Sequence, residues 1–586
     1  MTPDEFCAKA RAGERMDAIP IQGIDLAGRD LAGADLSGVK LALVDLRGAN
    51  LAGANLAGAG LVQCDLAGAN LAGAHLGGSI AGLSNFSGAD LTGARLVECK
   101  WMGCDLTGAT LRNADAERGA LARSRGAGAD FGGANLTEAR LDGSTLDLAR
   151  FDGATCDRAT LSIGRFVRAS FEGASLARTI FVGADLRGAK LAGAKVDACA
   201  FARADLRGAE LPKTLARCRF DQARLSARDP APEEASFANL HAGDAPDVDV
   251  PARASLAGAD LRAASLTGVC LADADLSGAN LEFALLVGCD LAGASVRGAR
   301  LARTILSGAD LRGVDLSGAD LDMTTLSGAN LAGVKLEGAR LEMTNLSNAD
   351  LTGADLTAAR LRCADVTGAK LDGVVLTRAN LERVDFIEID ARALPLKGLR
   401  LVRCSFKRSD LSGMDLRGAD LDTADFTEAN LGSARLSGCR LGPANFSGAK
   451  LERADLSDVS GKGAFFGGAK LGGAKLTGAA LRKATFIDAD ARTADFSGAD
   501  LRESQLMKMN ASSANFAGAR MDFADASHAD LSNADLSRAS LFTATFHHVK
   551  DDGAVYHGAN TRALKRTDVE RLEAEAWMPP PRPDDA

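Results

Sequence analysis

The segment that decides the fold is residues 26–38, which read LAGRDLAGADLSG. A leucine stands at every fifth position of this segment, and a leucine or phenylalanine keeps that spacing through most of the chain. Residues five apart drift by about 140° around an α-helix, and an odd spacing on a straight strand puts successive side chains on opposite faces. The leucines can therefore share one core only if the chain turns once in each unit. The Gly of the unit allows a turn with φ > 0, and its Asp or Asn can hydrogen-bond the turn backbone.

A second, longer period indicates how many units form one coil. The glycine position of the unit is replaced by Phe283, Arg303, Met323 and Met343, with three glycines between successive replacements. The replacement thus returns every twentieth residue, which predicts a coil with four sides. The first half of the chain shows the same interval in another phase, at Glu98, Arg118, Glu138, Arg158 and Arg178.

The repeated unit, for example Ala34-Asp35-Leu36-Ser37-Gly38, resembles that of the pentapeptide repeat proteins. The pattern of that family is a small residue, Asp or Asn, Leu or Phe, a variable residue and Gly, and it recurs over most of this chain. The resemblance implies an all-β fold, a right-handed four-sided parallel β-helix in which the Leu or Phe points inward beside the small residue. We expect this solenoid in two stacks, with a short α-helical cap at each end.

Changes in the repeat pattern predict the domain organisation. The central residue stays in register from Leu26 to Leu211, gives way to a segment rich in proline and acidic residues, and resumes at Leu256. A stack has unpaired edges at both ends, and these need caps. The predicted parts are an N-terminal helical cap at 1–20, a first β-helix at 21–226, a linker or loop at 227–254, a second β-helix at 255–561, and a capping helix with a disordered tail at 562–586.

Helix-capping patterns stand near both ends of the chain. Thr2 followed by Pro3 is typical of a helix start and predicts a helix over 3–13. The run Thr567-Asp568-Val569-Glu570 has the form of a capping box and predicts a second short helix. Relatives imply that C-terminal elements can also form dimers. The candidate contacts, for capping the last coil or for a homodimer, are Leu572 and Trp577.

Composition argues for a soluble cytoplasmic protein. The sequence shows no signal peptide and no long apolar run, and export by a route that needs no signal peptide stays open. Most of the 12 cysteines occupy the small inward position, which predicts buried free thiols in a reducing compartment. These cysteines are Cys64, Cys99, Cys104, Cys199, Cys218, Cys289, Cys404 and Cys439.

No pattern in the sequence predicts catalysis, a cofactor or a metal site. The phosphate-binding loop, the Gly-x-Ser-x-Gly elbow, His-Glu-x-x-His and Cys-x-x-Cys are all missing from the sequence. A metal site needs a tight cluster of ligands. The histidines that can gather near the last coils are His528, His547, His548 and His557, but we predict no metal there. The sequence therefore predicts a non-enzymatic protein.

One side of the predicted coil is the candidate surface for a protein partner. Phe, Met and Arg in a row resemble the composition of interface cores. The candidate residues are Phe283, Arg303, Met323, Met343, Arg362, Arg383 and Arg403. An alternative interpretation is that this side uses a turn that needs no positive φ, so that varied residues accumulate there without a function.

The leading functional hypothesis is a non-enzymatic interaction scaffold, a rigid rod that presents flat walls to a protein partner. The resemblance implies two alternatives: an accessory protein or effector of a bacterial secretion system, and a DNA mimic that binds gyrase or another topoisomerase. Arg and Lys interrupt the acidic residues on every wall, which counts against the mimic. A net charge of −9 counts against nucleic-acid binding, and no membrane contact is predicted.

Overall fold

The computed structural model of the protein describes residues 1–16, 20–215, 218–225 and 254–577. It contains two compact units, Met1–Ala319 and Asp320–Ala586. Within the described residues, helix α1 (Pro3–Arg11) lies at the start and helix α2 (Val569–Ala576) at the end. The described strands are β1 (Ile21–Gln22), β2 (Lys40–Ala42), β3 (Gly60–Val62), β4 (Ile80–Gly82) and β5 (Lys100–Met102). The other repeats alternate single β-bridges with tight turns.

A coil takes twenty residues in both units, apart from the coils next to the four-residue step at 211–215 and the segment after Leu225. In the first unit Asp35 pairs in parallel with Asn55, and in the second Asn345 pairs in parallel with Asp365. This is the register predicted from the second period of the sequence. The all-β, four-sided solenoid is thereby confirmed.

Two local features turn the chain once in each five-residue unit. The side-chain Oδ1 of Asp35 accepts a hydrogen bond from the Ser37 N–H at 3.1 Å, an Asx-type contact that recurs along the chain. Gly38 then has a φ of 67°, and its N–H donates to the Ala57 carbonyl of the next coil at 2.8 Å. The carboxylate thus organises the turn, and the corner residue directs the chain onto the next side.

The core is narrow and is filled by the central residue and the small residue of each unit. Leu36 is 2% exposed and Ala34 is 4% exposed. Where phenylalanines replace leucine in successive coils, their rings stack, as Phe426 and Phe446 do at a centroid distance of 4.9 Å. The eight inward cysteines are all buried, as their positions in the repeat predicted.

In nearly every unit the corner residue has a positive φ whether or not it is glycine, with Ala393 and Pro443 as exceptions. Phe283 and Arg303 both have a φ of 60°, and Met323 and Met343 have φ values of 59° and 55°. The alternative that this side uses a turn without positive φ is therefore wrong. The reason is the ladder: the corner N–H must reach a carbonyl of the next coil, as in the 2.9 Å bond from Met323 to Glu342, and this direction requires the left-handed conformation.

The described strands form one parallel sheet in the first unit, in the order β1-β2-β3-β4-β5. Leu41 pairs with Leu61, Leu61 with Ala81, and Ala81 with Trp101, and all of these side chains point inward. Trp101 stacks on Phe86 at 4.3 Å, and its indole N–H donates to Ser79 Oγ at 2.9 Å. This side therefore has continuous strand pairing over five coils, whereas the other repeats pair through single bridges.

The predicted linker or loop at 227–254 lies outside the described residues, apart from Ala254. Coils on either side of it pair directly, through Thr214 with Ser255, Arg219 with Asp260 and Arg224 with Ser265. The ladder therefore continues past this segment inside the first unit. The boundary between compact units falls after Ala319, a position that differs from the predicted boundary between stacks.

The four-residue step from Leu211 to Leu215 opens a gap on one side of the first unit. Lys195 pairs with Ser175, but the described ladder shows no onward pairing of Lys195 with Thr214. A cleft of about 660 Å³ lies at this gap, lined in part by Val196 and Pro212.

The two helices differ in how they join the solenoid. Helix α1 begins after Thr2 with a complete capping box and buries Phe6, Cys7 and Ala10. Helix α2 buries no residue, and its N-cap is Asp568, one residue later than the predicted capping box places it, because the Asp568 carboxylate accepts the Arg571 N–H. The predicted tail after residue 577 lies outside the described residues. None of the described helices has the length and hydropathy needed to span a bilayer.

Candidate interaction surfaces

One corner of the coil differs from the other three in the side chains that it carries. The positions of this corner follow one another at the twenty-residue interval of Phe283, Arg303 and Met323. We call those from Leu43 to Arg303, in the first unit, ridge 1, and those from Met323 to Thr543, in the second unit, ridge 2. In ridge 1 the Leu43 N–H donates to the Val62 carbonyl at 3.0 Å, and the same type of bond recurs once per coil. Ridge 2 continues the same twenty-residue phase in the sequence.

Large apolar residues with positive φ concentrate on the two ridges. Among the described residues, eight Leu, Ile, Phe or Met residues have positive φ, and seven of them are ridge residues. The seven are Leu43, Leu83, Ile163, Phe283, Met323, Met343 and Phe523. The exception is Leu148. The other three corners carry glycine, charged and small polar residues at almost every position.

These apolar side chains are exposed, so they contribute little to the core. Ile163 is 79% exposed, Leu83 is 69% exposed and Met343 is 60% exposed. An L-residue in the left-handed region costs roughly 1–2 kcal/mol, a penalty that glycine avoids. Burial does not offset this cost in either unit. Single exposed apolar residues are common on protein surfaces, but seven of eight at one position of the twenty-residue period is more than scattered exposure.

Two of the predicted site residues meet at the end of ridge 1. The Arg303 guanidinium lies 5.4 Å from the centroid of the Phe283 ring, a distance typical of a cation–π contact. The side chain of Glu282, next to Phe283, is engaged by Arg300 at 2.6 Å. The surface at this point therefore presents an exposed aromatic ring and a cation, with the neighbouring acid already neutralised.

The remaining predicted site residues lie on or beside ridge 2. Met323 and Met343 are ridge residues one coil apart, and Arg383 and Arg403 continue the same corner with φ values of 59°. Arg362 lies beside the corner, and its guanidinium pairs with Glu342 at 3.6 Å. Within the described part of the chain, Arg383 and Arg403 form no ion pair. Ridge 2 thus begins with the thioether side chains of Met323 and Met343 and continues with the guanidinium groups of Arg383 and Arg403.

Sequence reasoning missed the apolar members of the ridges outside the predicted set. Leu43, Leu83, Ile163 and Phe523 share the phase of Phe283, and counting by twenty along the printed sequence reaches each of them. The charged replacements in the first half, from Glu98 to Arg178, lie in another phase of the twenty-residue period and so indicate another corner. The outward residues of the β1–β5 sheet were also missed.

The C-terminal histidines form a hydrogen-bonded cluster with helix α2. Glu575 Oε2 lies 3.0 Å from His528 Nε2 and 3.3 Å from His547 Nε2. The Asp568 N–H donates to Nδ1 of the buried His547 at 3.1 Å, so the ring proton of a neutral His547 is on Nε2. The ligand atoms of His528, His547 and Glu575 lie within 4.8 Å of one another, as in a metal site. A metal on His547 Nε2 would require the proton on Nδ1, where Asp568 already donates, so the contacts favour a proton-bearing cluster.

The predicted C-terminal contacts differ from each other in exposure. Leu572 is half-buried, whereas Trp577 is 68% exposed and is not packed into the last coil. The last coil is itself less well covered than the others, because Ala554, Tyr556 and Leu564 are half-buried at positions that are fully buried elsewhere.

The fold and the repeated corner geometry define a solenoid repeat protein with four flat sides. The family model described as pentapeptide repeats matches more than half of the sequence. The matched residues are 22–56, 30–66, 45–80, 84–118, 128–162, 165–201, 252–282, 284–322, 324–362, 359–392, 404–442, 444–478, 474–510 and 512–547. The chain belongs to the pentapeptide repeat family, and its fold is the right-handed β-helix of that family.

Several solved structures resemble the chain. HetL, a pentapeptide repeat protein involved in heterocyst differentiation regulation in Nostoc sp. strain PCC 7120, is 26% identical over 48% of this chain and 89% of its own, with a TM-score of 0.12. A protein of the Arabidopsis thaliana thylakoid lumen is 29% identical over 17% of this chain and 68% of its own, with a TM-score of 0.12. QnrB1, a plasmid-mediated fluoroquinolone resistance protein, is 15% identical over 33% of this chain and 97% of its own, with a TM-score of 0.17.

The family assignment rests on the repeat model, because these TM-scores are low. The comparison with curated proteins returned no match.

Proposed function

We propose that the protein is a non-enzymatic interaction scaffold whose solenoid sides present the ridge residues to a protein partner. The observation that supports this most directly is the exposed apolar series on ridges 1 and 2. Each member has a left-handed backbone conformation that glycine would adopt at lower cost. The fold alone gives no reason for Phe283, Met323 or Met343 at these positions. Contact with a partner gives such a reason, because aromatic, Met and Arg side chains are enriched at interface cores.

The charge pattern supports a protein partner over the role of a DNA mimic. Many acidic side chains are paired with an arginine two positions later, as Asp310 is with Arg312 at 2.6 Å. Such pairs neutralise the acidic rows that a mimic of the DNA backbone would need. We therefore keep the scaffold as the proposed function and the topoisomerase-binding protein as an alternative.

Glycine substitutions give the sharpest test of the scaffold. The tagged protein is compared with a variant carrying Phe283→Gly, Met323→Gly and Met343→Gly in affinity purification from the source cells, followed by mass spectrometry. The variant is expected to fold at least as well, because glycine suits a φ of 55–60°, and to lose a specific partner. Leu148→Gly is the matched control, because Leu148 is an exposed positive-φ leucine away from the ridges. Unchanged capture by the triple variant would exclude these residues as the binding surface.

We also propose that the C-terminal region associates with a second copy of the chain. The incompletely covered last coil and the exposed Trp577 support this arrangement. Light scattering coupled to size exclusion should show a dimer that Trp577→Ser and Leu572→Ser weaken. A monomer at micromolar concentration would contradict it.

A further inference from the structure

The outer face of the β1–β5 sheet carries an apolar patch, interrupted at the ridge by the exposed Gln63. Its members come from strands β3 to β5 and from the ridge positions beside them, and all are at least two-fifths exposed. They are Leu43, Val62, Ile80, Leu83 and Met102, with exposed fractions of 51%, 43%, 50%, 69% and 50%. Gly60 and Gly82 lie among them and add no side chain to the face. Leu83 extends over Gly103 of the next coil, where an added Cβ would lie 3.1 Å from its Cδ2.

The fold does not require these side chains. Leu43 and Leu83 both have a φ of 55°, so glycine would be less strained at each position. The inward residues Leu41, Leu61 and Trp101 already fill the core beneath the sheet. The outward apolar residues therefore add exposed hydrophobic surface without a gain for the isolated unit.

The backbone of this sheet offers nothing to a partner that approaches its face. Strands β2 to β5 are paired on both sides in the parallel ladder, so their N–H and C=O groups are already used. A partner strand has no free edge here to extend. Binding on this face must come from side-chain contacts, which favours a partner that presents a row of apolar side chains.

Two unpaired cations lie at the ends of the patch. Lys40 and Lys100 are the outward residues of β2 and β5, both are exposed, and neither forms an ion pair with any described residue. The acid nearest to Lys100 in sequence, Glu98, pairs with Arg118 at 3.3 Å. The patch is therefore bounded along the direction of the coil stack by positive charge that the chain itself does not neutralise.

We propose that this face binds one amphipathic α-helix of a protein partner, with acidic residues at both ends of its apolar stripe. Lys40 and Lys100 are three coils apart in the ladder, or about 14 Å at the strand spacing of about 4.8 Å. A helix rises about 1.5 Å per residue, so the acidic groups would stand about nine or ten residues apart. The patch is about three residues wide, or about 10 Å, which matches the diameter of one helix.

Charge argues against a second copy of the chain on this face. A two-fold axis that lies in the face and across the coil stack exchanges the ends of the patch, so Lys40 of one copy would face Lys100 of the other. Like charges opposed at both ends of an interface disfavour association. A partner helix with acidic ends turns the same lysines into favourable contacts.

The inference rests on the general proposal that the protein is an interaction scaffold, and it shares Leu43 and Leu83 with ridge 1, but none of its residues is changed in the triple glycine variant. Phe283, Met323 and Met343 are not in this patch, so the two proposals fail separately. Loss of helix binding in patch variants supports the inference even if the triple glycine variant keeps its partner.

The test uses the full chain and a synthetic probe. The probe is a fluorescein-labelled stapled helix with Leu at positions i, i+3, i+4 and i+7 and Glu near both ends. Two control peptides carry Lys in place of Glu or the same residues with the stripe scrambled. Fluorescence anisotropy should show the Glu peptide binding at least about tenfold more tightly than either control, a difference of about 1.4 kcal/mol.

Variants of the chain separate binding from folding. Leu43→Gly with Leu83→Gly should weaken the Glu peptide at least about tenfold while thermal stability holds or rises. Lys40→Glu with Lys100→Glu should reverse the preference in favour of the Lys peptide. Leu148→Gly should leave binding unchanged.

Three results would overturn the proposal. One is equal binding of the Glu and scrambled peptides. Another is adsorption to phosphatidylcholine–phosphatidylglycerol vesicles that depends on Leu83 while no peptide binds, which would assign the face to a membrane surface. The third is self-association in sedimentation velocity that Leu83→Gly abolishes, which would assign it to a second copy.

Discussion

At the scale of single residues, the corner of each unit is the position at which this protein differs most from an ideal repeat. The corner backbone is left-handed in nearly every unit, as at Gly38 and Ile163, because the corner N–H has to reach the next coil. Glycine satisfies this geometry without strain, so every other residue there adds a local cost. Side chains at the corner are consequently free to take part in binding. Their effect on binding can be measured separately from their effect on stability.

Replacing a strained corner residue by glycine should stabilise the protein. Ile163→Gly removes a β-branched side chain that has a φ of 56° and is 79% exposed. We expect the free energy of unfolding to rise by about 1 kcal/mol, measured as an upward shift of the chemical denaturation midpoint. Leu161→Ala, at the buried centre of the same unit, should instead lower it by about 2–5 kcal/mol. A lower midpoint for Ile163→Gly would show that this side chain has a structural role.

Thiol chemistry should distinguish two cysteines from the other ten. Cys270 is exposed and Cys363 is half-buried, whereas the rest are buried. Burial raises the pKa of the Cys99 and Cys156 thiols to about 12, so these thiols stay protonated and unreactive at neutral pH. Iodoacetamide should label Cys270 first and Cys363 next in the native protein, as read by peptide mass spectrometry. Rapid labelling of Cys99 would contradict the packing of the core.

At the scale of elements, the two helices illustrate different ways of joining a solenoid. Helix α1 is held by apolar burial of Phe6, Cys7 and Ala10. Helix α2 buries nothing and is held by polar contacts, chiefly those of Glu575 with His547, His528 and Arg571. Apolar burial is insensitive to pH, whereas these polar contacts depend on the charge of Glu575. The attachment of α2 should therefore respond to pH.

Removing the charge of Glu575 should loosen helix α2. Its contact with Arg571, and next that with His547, lowers the pKa of Glu575. A lowered folded-state pKa contributes stability above the ordinary value of about 4.3, and this is lost as pH falls through the folded-state pKa. Glu575→Gln should accelerate amide exchange in residues 569–576 at neutral pH, and wild type should show the same change only in acid. Glu573→Gln, in the same helix, should leave exchange unaltered, and equal effects of both variants would contradict the cluster.

At the scale of the whole molecule, the same turn chemistry is repeated in every coil, so small effects accumulate. The Asp of many units accepts hydrogen bonds from the residue two positions later. The side chain of the arginine at that position lowers the pKa of Asp45, Asp260 and Asp310. Each such group is solvent-accessible and individually weak, but the contribution has the same sign at all of them.

Acid should therefore destabilise the solenoid progressively. Carboxylates with lowered pKa contribute stability above the ordinary Asp value of about 3.9, and protonation removes it as pH falls through the lowered values. We expect the thermal midpoint to be nearly constant from pH 8 to about pH 5 and to fall steeply below about pH 4. Circular dichroism melts across this range measure it. A midpoint that stays constant down to pH 2 would show that the Asp turns do not depend on ionisation.

Much of the candidate surface was predictable, but its conformation was not. The twenty-residue phase of the sequence is enough to identify Phe283, Arg303, Met323 and Met343. The sequence did not reveal that these residues have positive φ, because a replaced glycine is compatible either with a relaxed turn or with a strained corner. Only the hydrogen bond from the corner to the next coil distinguishes the two, and that bond joins residues about nineteen positions apart.

The local rules of the repeat determined the all-β solenoid, the four-sided coil and the inward cysteines, because each depends only on residues within five or twenty positions. Tertiary structure alone decided that coils on both sides of residues 226–253 continue one ladder and that Leu43, Val62, Ile80, Leu83 and Met102 form one patch. These features depend on which coils stack and which side chains project outward from neighbouring coils. Such adjacency is a property of the folded ladder, and a single repeat does not contain it.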